Sequence, residues 1–213
     1  MESEKTLMEI AQQISSCKNC SLAETRKHPV PGEGPANAEI MLIGEGPGFH
    51  ENEQGRPFVG QAGKFLNELL NNGGLNREDV FITNVVKCRP PGNRDPQDAE
   101  LASCANYLER QIEAINPLII LTLGRFSMAR YFQDAKISVI HGRASWLGGR
   151  LIVAMYHPAA GLHQPKLRPD IMHDFSLLPA LIEKARTDRA KKQAQAEPAS
   201  GESPEDATQL SFF

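Results

Sequence analysis

Four cysteines, Cys17, Cys20, Cys88 and Cys104, are the plainest chemical signal in this chain. Cys17 and Cys20 form a C-x-x-C pair in a loop. Cys88 falls at the end of an apolar run, and Cys104 lies in a helical stretch. Thiols in a reducing compartment point to a metal rather than to disulfides. Zinc accepts four thiolates, and a 4Fe–4S cluster does too. Spacing leaves both open, with zinc the commoner.

A second set of residues carries hydrogen-bonding and stacking chemistry. It comprises Gly44-Glu45-Gly46-Pro47-Gly48, the stretch 55–63 with Phe58 between glycines, Asn84, and Tyr156-His157-Pro158. An amide such as Asn84 can donate and accept at once. A histidine can donate to a developing anion, and an aromatic ring can stack on a flat ligand. The glycines do not end in Gly-Lys-Ser/Thr, so this is no phosphate loop, and Pro47 interrupts a dinucleotide fingerprint. That argues against a nucleotide-hydrolysing α/β enzyme, as does the lack of a metal-binding carboxylate cluster.

The elements that must position these residues follow from periodicity. Apolar runs at 38–43, 80–86, 117–123 and 150–155 read as buried strands, and Ile137–Ile140 is a candidate fifth. Helical stretches are expected over 5–16, 61–72, 96–115, 125–133 and 170–186. Strands alternating with helices predict one α/β domain: a central parallel four-stranded sheet with helices on both faces. The chemical residues then follow the carboxyl ends of strands, where open α/β sheets bind ligands.

Composition bounds the rest. The chain of 213 residues is long enough for one domain over 1–187 and a tail over 188–213. No apolar run approaches a bilayer span and no signal peptide is evident, so a cytoplasmic, nucleoid-associated monomer is expected. The net charge of −3 does not advertise a nucleic-acid binder, so any DNA contact must come from a local basic patch. The tail is rich in Ala, Glu, Pro and Ser, reads as flexible, and turns apolar at Gln209-Leu210-Ser211-Phe212-Phe213.

Four segments carry a specific resemblance: GEGPGFHENEQGRPFVGQAG (44–63), TNVVKCRPPGNRDP (83–96), HGR (141–143) and YHPAAGLHQPKLRP (156–169). With the order of the cysteines, the chain resembles the family 4, iron–sulfur uracil-DNA glycosylases over roughly residues 5–186. The resemblance implies hydrolysis of the N-glycosidic bond of uracil in DNA by base flipping, leaving an abasic site. It implies a 4Fe–4S cluster on Cys17, Cys20, Cys88 and Cys104. It places Phe58 against the extruded uracil, Asn84 on its pyrimidine edge, His157 near O2, Glu45 and Gly46 at the pocket wall, and Glu51 in support of catalysis. Asn52 departs from the usual Asp, Phe49 and His50 are bulky for their places, and Glu53 is a possible substitute for Glu51. DNA backbone contacts are expected from Arg56, Lys64, Lys87, Arg89, Arg94, Arg143, Lys166 and Arg168. The last five residues resemble peptides that dock on DNA sliding clamps. The alternative is a non-catalytic DNA-binding module with a structural zinc.

Overall fold

The computed structural model describes residues 2–196. Its elements in chain order are α1 (Glu2–Ser16), α2 (Leu22–Thr25), β1 (Ile40–Gly44), α3 (Phe49–Gln54), α4 (Gln61–Asn72), β2 (Val80–Asn84), α5 (Asp98–Ile115), β3 (Ile119–Leu123), α6 (Arg125–Ala129), α7 (Ile137–Ile140), β4 (Ala144–Leu147), β5 (Arg150–Met155), α8 (Pro158–His163), α9 (Arg168–Ser176) and α10 (Leu178–Ala196). They form a five-stranded sheet of order β2-β1-β3-β5-β4. β2, β1, β3 and β5 are parallel, and β4 adds an antiparallel edge.

β1, β2 and β3 are buried along their whole length. Unbroken apolar runs give that result, because a parallel strand must bury both faces. On one face Leu42, Ile82, Leu121 and Val153 pack against Phe65, Leu69, Phe175 and Leu178, carried by α4, α9 and α10. On the other, Met41, Phe81, Ile120 and Ile152 pack against Leu108 and Ile112 of α5, with Leu7 of α1. The open edge of β2 is covered by a loop: Glu33 and Ile82 exchange backbone hydrogen bonds at 3.0 and 2.8 Å. That contact blunts an edge that would otherwise invite pairing with another chain.

The four parallel strands expected from the sequence are present. Three local expectations are corrected. Ile137–Ile140 is the helical turn α7, not the fifth strand, which is Ala144–Leu147 in a hairpin with β5. A four-residue apolar run has no period that separates turn from strand, and here Val139 and Ile140 donate backbone hydrogen bonds back to Lys136. α6 stops at Ala129, short of 133. The stretch expected as one helix over 170–186 is two, α9 and α10, broken at Leu177. Pro179 has no N–H to continue the helix across that point. α10 also runs on to Ala196, past the boundary at 187, and Asp188 accepts from Lys184 Nζ (2.6 Å) and Trp146 Nε1 (3.4 Å). The peptide Gln209–Phe213 lies outside the described residues. Among the described residues no helix is long and apolar enough to cross a membrane.

Candidate active site and cysteine centre

β1 has β2 on one side and β3 on the other, so the chain reverses direction across the sheet beside β1. A crevice opens at the carboxyl ends of the strands at such a point. It holds a cavity of about 540 Å³ whose wall includes Glu45 and Gly46 after β1, Asn84 at the end of β2, and His157 after β5. Phe58 and Glu51, from the β1–α4 connection, complete it.

Asn84 is 1% exposed, and its Oδ1 has no hydrogen-bond partner. An unpaired buried carbonyl costs free energy that native folds usually avoid, so a ligand N–H is the natural partner. Gly44 makes room for it. A Cβ there would stand 2.4 Å from Asn84 Oδ1 and 2.7 Å from Phe58 Cζ.

Phe58 adopts a left-handed backbone (φ 49°), unusual for an aromatic residue. Its carbonyl accepts from Arg77 Nη1 at 3.1 Å, and Arg77 is itself ion-paired with Glu33 at 2.7 Å. The turn presses so closely on α4 that a Cβ at Gly63 would fall 1.9 Å from Phe58 O. The Phe58 ring then lies 5.6 Å from the His157 ring, 29° from parallel.

His157 is the N-cap of α8, and its Nδ1 accepts from the Ala159 N–H at 3.1 Å. The ring proton therefore resides on Nε2. Burial pushes its pKa down to about 4, against a smaller opposing pull from the Glu51 carboxylate. The imidazole is neutral at physiological pH. Burial and the nearby Asp95 raise the Glu45 carboxyl above its ordinary range, with Arg125 opposing.

Glu51 reaches the cavity, but both its oxygens are engaged. Oε1 accepts from the N–H groups of Val59 and Gly60, each at 2.9 Å, and Oε2 accepts from Gly48 N–H at 3.1 Å. It thus ties the loop after β1 to the turn carrying Phe58. Glu53 is turned away, paired with Lys27. Asn52 is buried, and its Oδ1 accepts from Lys27 N–H at 2.9 Å.

The expected DNA-contacting cations separate into groups. Lys87 is a correction: it is 1% exposed, and its ammonium donates to Thr83 Oγ1, Asn84 O and Gln111 Oε1 at 2.6–2.8 Å. Burial lowers its pKa to about 7. It braces Asn84 from behind and cannot reach a phosphate. Arg56, Arg94 and Arg168 are paired with Glu33, Glu100 and Glu68. Lys64, Arg143 and Lys166 are exposed, and Arg89 stands half-buried at the cavity rim.

Cys20, Cys88 and Cys104 share one small apolar cluster with Leu22, Val86 and Leu101. Burial raises the Cys88 thiol, with Arg26 opposing at 3.2 Å from Sγ and with Cys20 and Cys17 near enough to add to the rise. Burial likewise pushes Cys104 up to about 11. Among the described residues no three His, Cys, Asp or Glu side chains are grouped as for a single bound ion. Cys17 and Cys20 lie near Cys88, and Cys20 and Cys88 lie near Cys104; four thiols free of disulfides are the donor type that an iron–sulfur cluster takes. A line of contacts runs from the residue after Cys20 to the cavity wall. Ser21 Oγ donates to Glu100 at 3.5 Å, Glu100 binds Arg94, and Arg94 lines the cavity.

Sequence reasoning missed Arg77, Glu33 and the spatial roles of Gly44 and Gly63. Arg77 looks like any surface arginine before a strand. The two glycines stand inside the quoted motif, but their close contacts are between distant segments.

Fold and cavity together define an α/β domain with a cleft at the carboxyl edge of its parallel sheet, and the model for the "Uracil DNA glycosylase superfamily" matches residues 31–176. The chain is 48% identical over 176 residues to the type-4 uracil-DNA glycosylase of Saccharolobus solfataricus, covering 78% of this chain and 82% of that one. It is 44% identical to the type-4 enzyme of Archaeoglobus fulgidus (84% and 95% covered) and 40% identical to that of Thermotoga maritima (86% and 99%). The chain belongs to the type-4 uracil-DNA glycosylases. An enzyme family displaces the alternative of a non-catalytic zinc module.

Proposed function

We propose that this chain removes uracil from DNA, and that the observation carrying the site assignment is the partnerless Asn84 Oδ1 at the base of the cavity. Uracil N3–H is the donor that this oxygen lacks, and the Asn84 amide N–H can answer the adjacent carbonyl. Cytosine has an acceptor in place of that N–H and would leave Oδ1 unpaired.

Flipping the nucleotide costs a few kcal/mol. Stacking on Phe58 returns about 1–3 kcal/mol. As the C1′–N1 bond breaks, its electron pair goes to the base and charge grows on O2. The Nε2–H of neutral His157 donates to that oxygen, and such preorganised donation typically supplies about 10²–10³ in rate. Water then gives its hydroxyl to C1′ and its proton to the departing base. Glu51 serves as a positioning residue: its carboxylate holds the amides of Gly48, Val59 and Gly60 and so shapes the turn around Phe58. Glu45 and Gly46 form the wall beside the base.

The four cysteines would hold a 4Fe–4S cluster, which supplies cross-links between the N-terminal loop, the segment after β2 and α5. Lys64, Arg89, Arg143 and Lys166 would meet phosphates. The cavity is assembled from a single chain, which supports action as a monomer. Gln209–Phe213 would dock on a sliding clamp, and deleting it should abolish clamp binding while excision from short oligonucleotides persists.

The test of the main reading is incubation with a uracil-containing oligonucleotide followed by alkali. Strand breaks at uracil alone are expected. Intact strands would overturn the reading.

A further inference from the structure

We propose that Phe49, backed by Arg89, is a stacking platform for the DNA base that neighbours the extruded nucleotide. The inference rests on the glycosylase reading above and extends it from the target base to its neighbour.

Phe49 opens α3 and is 52% exposed. Single exposed apolar residues are common and need no function. This one differs in its place and its company. It directly follows Gly48, which lines the cavity, so its backbone lies beside the mouth. The Arg89 guanidinium lies 5.3 Å from its centroid, and the His50 ring meets it edge-on at 5.4 Å. Arg89 precedes Pro90, another cavity residue, and its Nε donates to Asn93 Oδ1 at 2.8 Å on the same wall. The loop after β1 and the segment after Cys88 therefore join across the rim through one aromatic ring and one cation.

Charge sharpens the assignment. Arg56, Arg94 and Arg168 are paired with carboxylates, whereas Arg89 has no ion pair among the described residues. Its charge is free to answer a phosphate. A base drawn down to Asn84 brings its sugar and phosphates to the mouth, and its departure bares one π-face of the adjacent base. A ring at the mouth covers that face. Because every base has such a face, this contact adds affinity without sequence preference. The guanidinium against the opposite side of the ring holds it in place.

The experiment uses the full chain and short oligonucleotides carrying a stable tetrahydrofuran abasic analogue with 2-aminopurine beside it. Binding is read by anisotropy, and stacking by quenching of the 2-aminopurine. Phe49→Ala should weaken binding about tenfold, within the range one base–aromatic stack supplies, and lose the quenching. Phe49→Trp should restore both. Unchanged affinity and quenching in Phe49→Ala, or a loss that Phe49→Trp fails to restore, would overturn the inference. A parallel assay on uracil-containing DNA separates the two readings. If the parent chain releases uracil while Phe49→Ala keeps its affinity, only the platform falls. If the parent releases none, the glycosylase reading falls and the platform with it.

Discussion

The backbone N–H of Ala159 donates to Nδ1 of His157 across 3.1 Å. A backbone amide can only donate, so this bond assigns the imidazole proton to Nε2 and makes the ring a neutral donor toward the cavity. With its pKa lowered to about 4 by burial, His157 does not titrate between pH 5 and 8. The single-turnover excision rate should therefore show no inflection near 6.5. Stability carries the complementary signature. Between pH 6.5 and 4 the unfolded chain binds a proton at this histidine that the folded chain does not. This contribution is complete above 6.5 and is lost as pH falls toward 4, with a slope of at most about 1.4 kcal/mol per pH unit. Denaturant titrations of the parent and of His157→Gln across that window should differ by this slope.

Asn84→Ala should lower excision by about 10²–10³ while DNA binding largely survives. Its effect on stability should be small, because the deleted Oδ1 has no partner to lose. A melting temperature that collapsed with activity would make Asn84 a structural residue instead.

Glu51→Gln should lower both stability and rate. The amide can replace one oxygen, but its NH₂ group then faces another donor among the N–H groups of Gly48, Val59 and Gly60. Loss of charge-assisted bonds costs about 1–3 kcal/mol. Calorimetry and single-turnover kinetics on the same sample check this, and full activity in Glu51→Gln would remove the residue from the mechanism.

Arg77→Met should release the Phe58 turn. The arginine binds Phe58 O and the Glu33 carboxylate together, holding a left-handed aromatic residue that the local chain disfavours. The expected outcome is weaker substrate binding and a loss of about 1–3 kcal/mol in stability, because Glu33 is left without one of its two arginine partners. An unchanged KM would show that Phe58 keeps its place unaided.

The purified protein should contain about four irons per chain with visible charge-transfer absorbance. Cys88→Ser and Cys104→Ser should lose both. Stoichiometric zinc in place of iron would refute the cluster.

The sequence by itself determined the parallel sheet and the identity of its strands, because a strand buried on both faces must be apolar throughout. It also determined which residues meet at the sheet's carboxyl edge, because that edge follows from strand direction alone. Asn84, Phe58 and His157 were legible for this reason, strengthened by a family motif, whereas Glu51 was supplied by the family resemblance alone. Tertiary structure alone decided what each of them can do. The sequence offered Lys87 as a DNA contact, but folding turned its ammonium inward onto Asn84 O. It offered His157 as a neutral or a charged donor, and a backbone amide two residues on selected the neutral form. Arg77, nineteen residues beyond Phe58, gave no sign of gripping its carbonyl. Side-chain partners, burial and protonation are set by segments that meet only after the chain has closed on itself, and no local pattern encodes them.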